Sequence, residues 1–157
     1  LGQGVDVLVC LAIGTGLGAG IILNGQLFLG AHQAAGEVCN LVATPEQLGE
    51  SYPGFGFLES RASGTAIAQK FSELSATSEV VDAESVFELA RQGDPTALEV
   101  IDDFSKHLAM AIVSIATVLD PELIVLGGGL ERGGVLLGQV RRVGIPGIAG
   151  SSSPRRI

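Results

Sequence analysis

Ala97, Ile101, Phe104, Leu108, Ile112, Ile115 and Leu119 recur at alternating steps of three and four. That period places them on one stripe of a single long helix over 96–119, with the stripe turned toward a core. Gly93 closes a shorter helix over 83–92, and Asp94-Pro95 opens the long one. Asp120-Pro121 stops it. "ELIVLGGG" follows at once as a short buried strand running into Gly127, Gly128 and Gly129. A further helix is expected near 133–142. A strand that feeds a glycine turn and then a helix turns backbone N–H groups toward an anionic or nucleotide ligand.

The other end of the chain is sheet. "VDVLVCLAI" is apolar almost throughout, which predicts a strand covered on both faces. Gly14-Thr15-Gly16 is a turn, "LGAGIIL" a second strand, Asn24-Gly25 a tight hairpin signal and "QLFLG" a third strand. The expected start is therefore three antiparallel strands. Residues 30–56 keep no period and carry Gly36, Pro45, Gly49, Pro53, Gly54 and Gly56, which predicts a long irregular loop of the kind that carries function. A helix is expected from Phe57 to about Leu74.

Strands at both ends and helices between them make an α/β chain, and its 157 residues suit one domain. The composition is 46% hydrophobic but only 4% aromatic, an aliphatic pattern typical of covered sheets. A net charge of −8 argues against a nucleic-acid backbone as partner. Arg141, Arg142, Arg155 and Arg156 gather near the end, either as a solvated face or against a polyanion. The longest apolar run, "LAMAIVSIATVL", is too short to span a bilayer. Cys10 and Cys39 make no disulfide framework, no cationic leader precedes the first strand, and the expectation is a cytoplasmic protein. Cys10 is expected as an inert core residue. The abrupt first strand and the tail "GIAGSSSPRRI" suggest a portion of a longer protein.

The glycines of "LAIGTGLGAGIILNGQLFLG" do not form the dinucleotide fingerprint, since they lead into a second strand instead of opening a helix. No P-loop lysine follows either. Two readings remain: a bare hairpin backbone against phosphates, with the Thr15 hydroxyl as an added donor, or a turn that needs glycine for its own conformation. Glu37, in "GAHQAAGEVCN", can accept hydrogen bonds from sugar hydroxyls or stand solvated in its loop, with Asn40 nearby as donor and acceptor. Glu59 falls in the first turn of its expected helix, where an acidic group is favoured on dipole grounds alone. His32 and His107 have no partner at metal-ligand spacing.

"IGTGLGAGIILNGQLFLGAHQAAGE", "GFLESRASGTAI" and "DPELIVLGGGL" together resemble, in order and spacing, the ROK family of bacterial sugar kinases and sugar-responsive repressors. The resemblance covers nearly the whole chain. It implies the actin-like ATPase, ribonuclease-H-like fold, with this chain as the C-terminal half of a two-domain protein that forms a homodimer. It implies that Gly14, Thr15, Gly16 and Gly18 face ATP phosphates and that Gly127, Gly128 and Gly129 lie beside the adenosine. It makes Glu37 and Glu59 sugar ligands, Mg-ATP the phosphoryl donor, and a hexose or N-acetylhexosamine the acceptor. The general base of the kinases belongs to the other half, so no residue here is assigned that role. The family's Glu-x-Gly-His reads Glu37-Val38-Cys39-Asn40, putting Asn40 where a histidine binds sugar and zinc. The thiols of its zinc knuckle correspond to Glu50, Tyr52 and Phe57, so no zinc is expected. Tyr52, Phe55 and Phe57 are expected to order that loop by packing instead. These losses favour the alternative implied by the resemblance, the effector-binding domain of a repressor or a degenerate sugar binder.

Overall fold

The computed structural model describes residues 4–42, 44–49, 56–76, 81–130 and the backbone of 148–150. Strands β1 (Val7–Ile13), β2 (Leu17–Leu23) and β3 (Gln26–Leu27) are joined by tight turns. Two short 3-10 turns, Val38–Asn40 and Pro45–Gly49, interrupt the irregular segment. Helices α1 (Gly64–Ser75), α2 (Ala83–Arg91) and α3 (Pro95–Leu119) follow, then β4 (Leu123–Gly127) and β5 (Ile148–Gly150).

These strands form one mixed sheet in the order β3-β2-β1-β4-β5. β1 pairs antiparallel with β2, Val7 opposite Leu23, and parallel with β4, Leu8 opposite Leu123. The start of β4 is clamped to β1 by Glu122, whose Oε1 accepts from the amides of Asp6 and Val7 at 2.9 and 3.0 Å. Side chains alternate along β1, so Val9, Leu11 and Ile13 share a face with Leu17, Ile124 and Leu126. All six are buried and join one core with the helices. Phe87 of α2 meets Phe104 of α3 edge to face, with ring centroids 6.4 Å apart.

The caps explain where the helices begin. Asp94 Oδ1 accepts from the Ala97 amide at 2.8 Å, Pro95 takes a first-turn position that needs no donor, and Asp120 ends α3 in the left-handed region at φ 44°. Of the seven residues in the expected stripe, Ala97, Ile101, Phe104, Leu108, Ile112 and Ile115 are buried and Leu119 is partly buried.

Five expectations need correction. The helix expected from Phe57 begins only at Gly64, because Ser63 is its N-cap and Ser63 Oγ accepts from the Ala66 amide at 3.1 Å. Residues 57–62 form turns, so Glu59 is not in a first helical turn. The third strand is limited to Gln26–Leu27, and Gly30 at φ 75° turns the chain away. β1 is not covered on both faces by the described residues: Leu8 and Cys10 are partly exposed and Ala12 is exposed, so Cys10 is not a core residue here. The reason is that α1, α2 and α3 join the core on the opposite face. The helix near 133–142, the arginine cluster, Glu50, Tyr52 and Phe55 lie outside the described residues.

A buried glutamine orders part of the irregular segment. Gln47 Oε1 accepts from the Thr44 amide at 3.1 Å, and its Nε2 donates to the Phe57 carbonyl at 2.9 Å. The polar side chain satisfies the backbone on both sides of the loop, which is the condition for burying it. Of the three aromatic residues expected to order this loop, only Phe57 is among those described, and it contributes its carbonyl here.

Candidate functional site

β1 and β4 run parallel and end at the same edge of the sheet, so the turns that follow them are neighbours. Gly128, at φ 109°, lies so close to Ile13 that a Cβ there would collide with the Ile13 backbone. A Cβ on Gly64 would lie 2.8 Å from the Gly14 carbonyl oxygen and 3.6 Å from Leu130 Cδ1. Both glycine turns and the start of α1 therefore meet at one place.

Hydrogen bonds fix which way the Gly14–Gly16 turn faces. The Gly14 amide donates to the Gly16 carbonyl at 2.9 Å, closing the turn. The Gly14 carbonyl accepts from the Gly64 amide at 2.7 Å. The Thr15 carbonyl accepts from Thr65, through its Oγ1 at 2.9 Å and its amide at 3.4 Å. The carbonyls are thus tied back onto the first turn of α1 and satisfy donors that a helix leaves unpaired. The Leu17 amide donates to Glu59 Oε2 at 2.7 Å. Among the described residues the amides of Thr15 and Gly16 have no partner. Two adjacent unpaired N–H groups with their carbonyls turned away make a local positive pole suited to an anion.

The glycines divide by what surrounds them. Among the described residues a Cβ on Gly14, Gly18, Gly127 or Gly129 would meet nothing within 4 Å, so none of them fills the space beside these glycines. At Gly128 the need for glycine is internal, set by positive φ and the Ile13 backbone. At Gly16 a Cβ would lie 2.5 Å from Glu59 Oε2.

The two candidate sugar ligands approach each other around Cys39. Gly36, at φ 94°, packs against Ala19 of β2, and its carbonyl accepts from the Ala19 amide at 2.9 Å. That contact anchors Glu37 beside the sheet, with its side chain exposed. Cys39 Sγ donates to Glu37 Oε2 at 3.6 Å, while the Cys39 carbonyl accepts from the amides of Leu58 and Glu59 at 2.8 and 3.2 Å. Burial pushes the Cys39 thiol above its ordinary range, and the Glu37 hydrogen bond and the charges of Glu37 and Glu59 add to the rise. Asn40 is exposed on the same short turn, its amide donating to the Glu37 carbonyl at 3.2 Å. Glu37 and Asn40 also border an open groove of about 410 Å³, whose lining includes the apolar Ile21, Leu41, Ile115 and Val118.

Sequence reasoning missed Cys39 as the meeting point, Gln47 as the staple and Thr65 as the latch on the hairpin. The Ser63-Gly64-Thr65 run was an available signal for a capped helix start. His32 is exposed in its loop, and His107 Nδ1 lies 2.9 Å from the Asp103 carbonyl of its own helix. Among the described residues no three His, Cys, Asp or Glu side chains gather closely enough to hold a metal. No described helix is long and apolar enough to cross a membrane.

Comparison with known proteins agrees with this architecture. The model of the ROK family matches residues 1–147. The glucokinase of Thermotoga maritima is 33% identical over 153 residues, covering 89% of this chain and 48% of that protein. The chain thus spans about half the length of the curated relatives it matches. A ROK family glucokinase from Streptomyces griseus, solved with glucose and AMPPNP, superposes with a TM-score of 0.79 at 25% identity, over 96% of this chain and 57% of that one. A ROK family transcriptional regulator, a homologue of the E. coli MLC protein, gives 0.75 at 31% identity, over 90% and 38%. With its mixed sheet, its paired glycine turns and a family match over most of its length, the chain has the actin-like ATPase fold and belongs to the ROK family.

Proposed function

We propose that this chain is the ATP- and sugar-contacting half of a glucokinase-like ROK sugar kinase, which transfers a phosphoryl group from ATP to a hexose or N-acetylhexosamine hydroxyl. The observation that carries the reading is the pair of amides at Thr15 and Gly16 with no partner among the described residues, beside a second turn where those residues leave open space at Gly127 and Gly129. Phosphoryl transfer depends mainly on positioning and on stabilising spread negative charge, and fixed backbone N–H groups do both. In this reading Gly14, Thr15, Gly16 and Gly18 receive the phosphates, and Gly127, Gly128 and Gly129 lie along the nucleoside. Glu37, Asn40 and Glu59 accept from or donate to sugar hydroxyls, the carboxylates offering two acceptor oxygens each. A divalent ion such as Mg²⁺, entering with ATP, would neutralise phosphate charge. The base that deprotonates the sugar hydroxyl is assigned to the other half, and the intact protein to a cytoplasmic homodimer without nucleic-acid contact by this chain.

A second reading, the effector domain of a repressor or a sugar binder without turnover, draws on Asn40 in place of histidine and on the absent knuckle thiols. A coupled ATP-consumption assay of the intact protein against hexoses and N-acetylhexosamines separates the two. Turnover with any sugar supports the kinase. Sugar binding by calorimetry without turnover removes it and leaves the second reading.

A further inference from the structure

We infer that Glu59 is a positioning residue for the nucleotide, joining the sugar subsite to the phosphate-facing hairpin through one carboxylate. The inference rests on the hairpin being the phosphate site. Glu59 Oε2 accepts from the Leu17 amide at 2.7 Å, across 42 positions of sequence. Leu17 is the first residue of β2, immediately after Gly16, so this bond fixes the exit of the turn that carries the unpaired amides. The carboxylate fills the space beside Gly16: a Cβ there would lie 2.5 Å from Oε2 and 3.3 Å from Cδ. Gly16 is therefore glycine because Glu59 occupies its side-chain volume, and the two residues form one unit.

The other oxygen has a different outlook. Glu59 Oε1 makes no hydrogen bond among the described residues, and the Glu59 amide is held on the Cys39 carbonyl, two residues from Glu37. Oε2 thus faces the hairpin while Oε1 is left for a sugar hydroxyl. Because both oxygens belong to one rigid planar group, a sugar that orders Oε1 also orders Oε2. The Leu17 amide and the preceding turn are then held in their receiving geometry. Sugar binding should consequently tighten nucleotide binding, and the coupling must be reciprocal.

The test is calorimetric binding of AMPPNP with Mg²⁺ to the intact protein, with and without glucose. Glu59→Ala and Gly16→Ala should each weaken AMPPNP about tenfold, the scale of one hydrogen bond to a charged group. The double variant should be no weaker than Glu59→Ala alone, since removing the carboxylate makes room for the new methyl. Glu59→Gln keeps an acceptor for the Leu17 amide and should recover AMPPNP binding to within about threefold of wild type. Unchanged AMPPNP affinity in Glu59→Ala, or two single effects that multiply to about a hundredfold in the double variant, would overturn the inference. Gly14→Val, which has open space and places a side chain over the free amides, tests the hairpin itself. If it leaves AMPPNP binding intact, the phosphate reading falls. If it abolishes binding while Glu59→Ala does not weaken it, only the role of Glu59 falls.

Discussion

Replacing Gly128 by alanine asks whether a glycine exists for the fold or for a ligand. Its φ of 109° is a conformation that side chains resist, and holding alanine there costs about 1–3 kcal/mol. A methyl would also press on Ile13, reaching 2.7 Å from its carbonyl carbon and 2.8 Å from its nitrogen. Those atoms belong to β1, between two paired strands, and cannot yield without disturbing the sheet. Overpacking of this kind adds about 1–3 kcal/mol, so Gly128→Ala should lose about 2–6 kcal/mol. Urea denaturation of the intact protein should show a midpoint lower by about 1–3 M with the slope preserved. Gly127→Ala is the control, with nothing within 4 Å among the described residues and no positive φ. It should stay within about 0.5 kcal/mol of wild type while weakening AMPPNP, because its methyl enters the proposed nucleoside path. If Gly128→Ala unfolds with wild type, or Gly127→Ala is as damaging, the division of glycines argued from surrounding space is wrong.

Two further outcomes are expected. Asp82 caps α2, and hydrogen bonds from Ser85 hold its carboxyl below the usual aspartate value of 3.8. Its contribution is therefore present above that pH and lost as pH falls through the lower folded value, so melting curves of wild type and Asp82→Ala should differ at pH 7 and converge in acid. A gap that stays constant down to pH 2 would contradict the assignment. Cys39 should react slowly with iodoacetamide at pH 8, and Glu37→Gln should accelerate it several-fold by removing a negative charge that favours the neutral thiol. Peptide mass spectrometry distinguishes Cys39 from Cys10, and an unchanged rate would separate Glu37 from that thiol.

Local patterns were the legible part. The stripe of α3, its Asp94-Pro95 entry and its Asp120 exit depend on neighbours within a few residues, and the structure keeps all three. The antiparallel start was equally readable, because Asn24-Gly25 dictates its own turn, with both residues at positive φ. Glu59 was misplaced for a tertiary reason. Its carboxylate belongs to an amide 42 positions away, a partner no local window contains. The same holds for Gly16 and Gly128, whose neighbours come from the 57–60 turn and from β1. Gln47 looks like an ordinary loop residue until the Phe57 carbonyl is folded onto it. Family resemblance supplied roles for Glu37 and Glu59, but not the thiol that joins them.

The parallel contact between β1 and β4 has a consequence for biosynthesis. The Asp6–Glu122 clamp closes a loop of 116 positions, so the β1–β2 hairpin leaves the ribosome long before its second neighbour exists. At translation rates of about 5–20 residues per second that interval is roughly 5–20 s. Throughout it, the flank of β1 awaiting β4 is an open template of amides and carbonyls beside bare aliphatic side chains. Slowing translation between the helices should therefore increase the capture of nascent chains by chaperones.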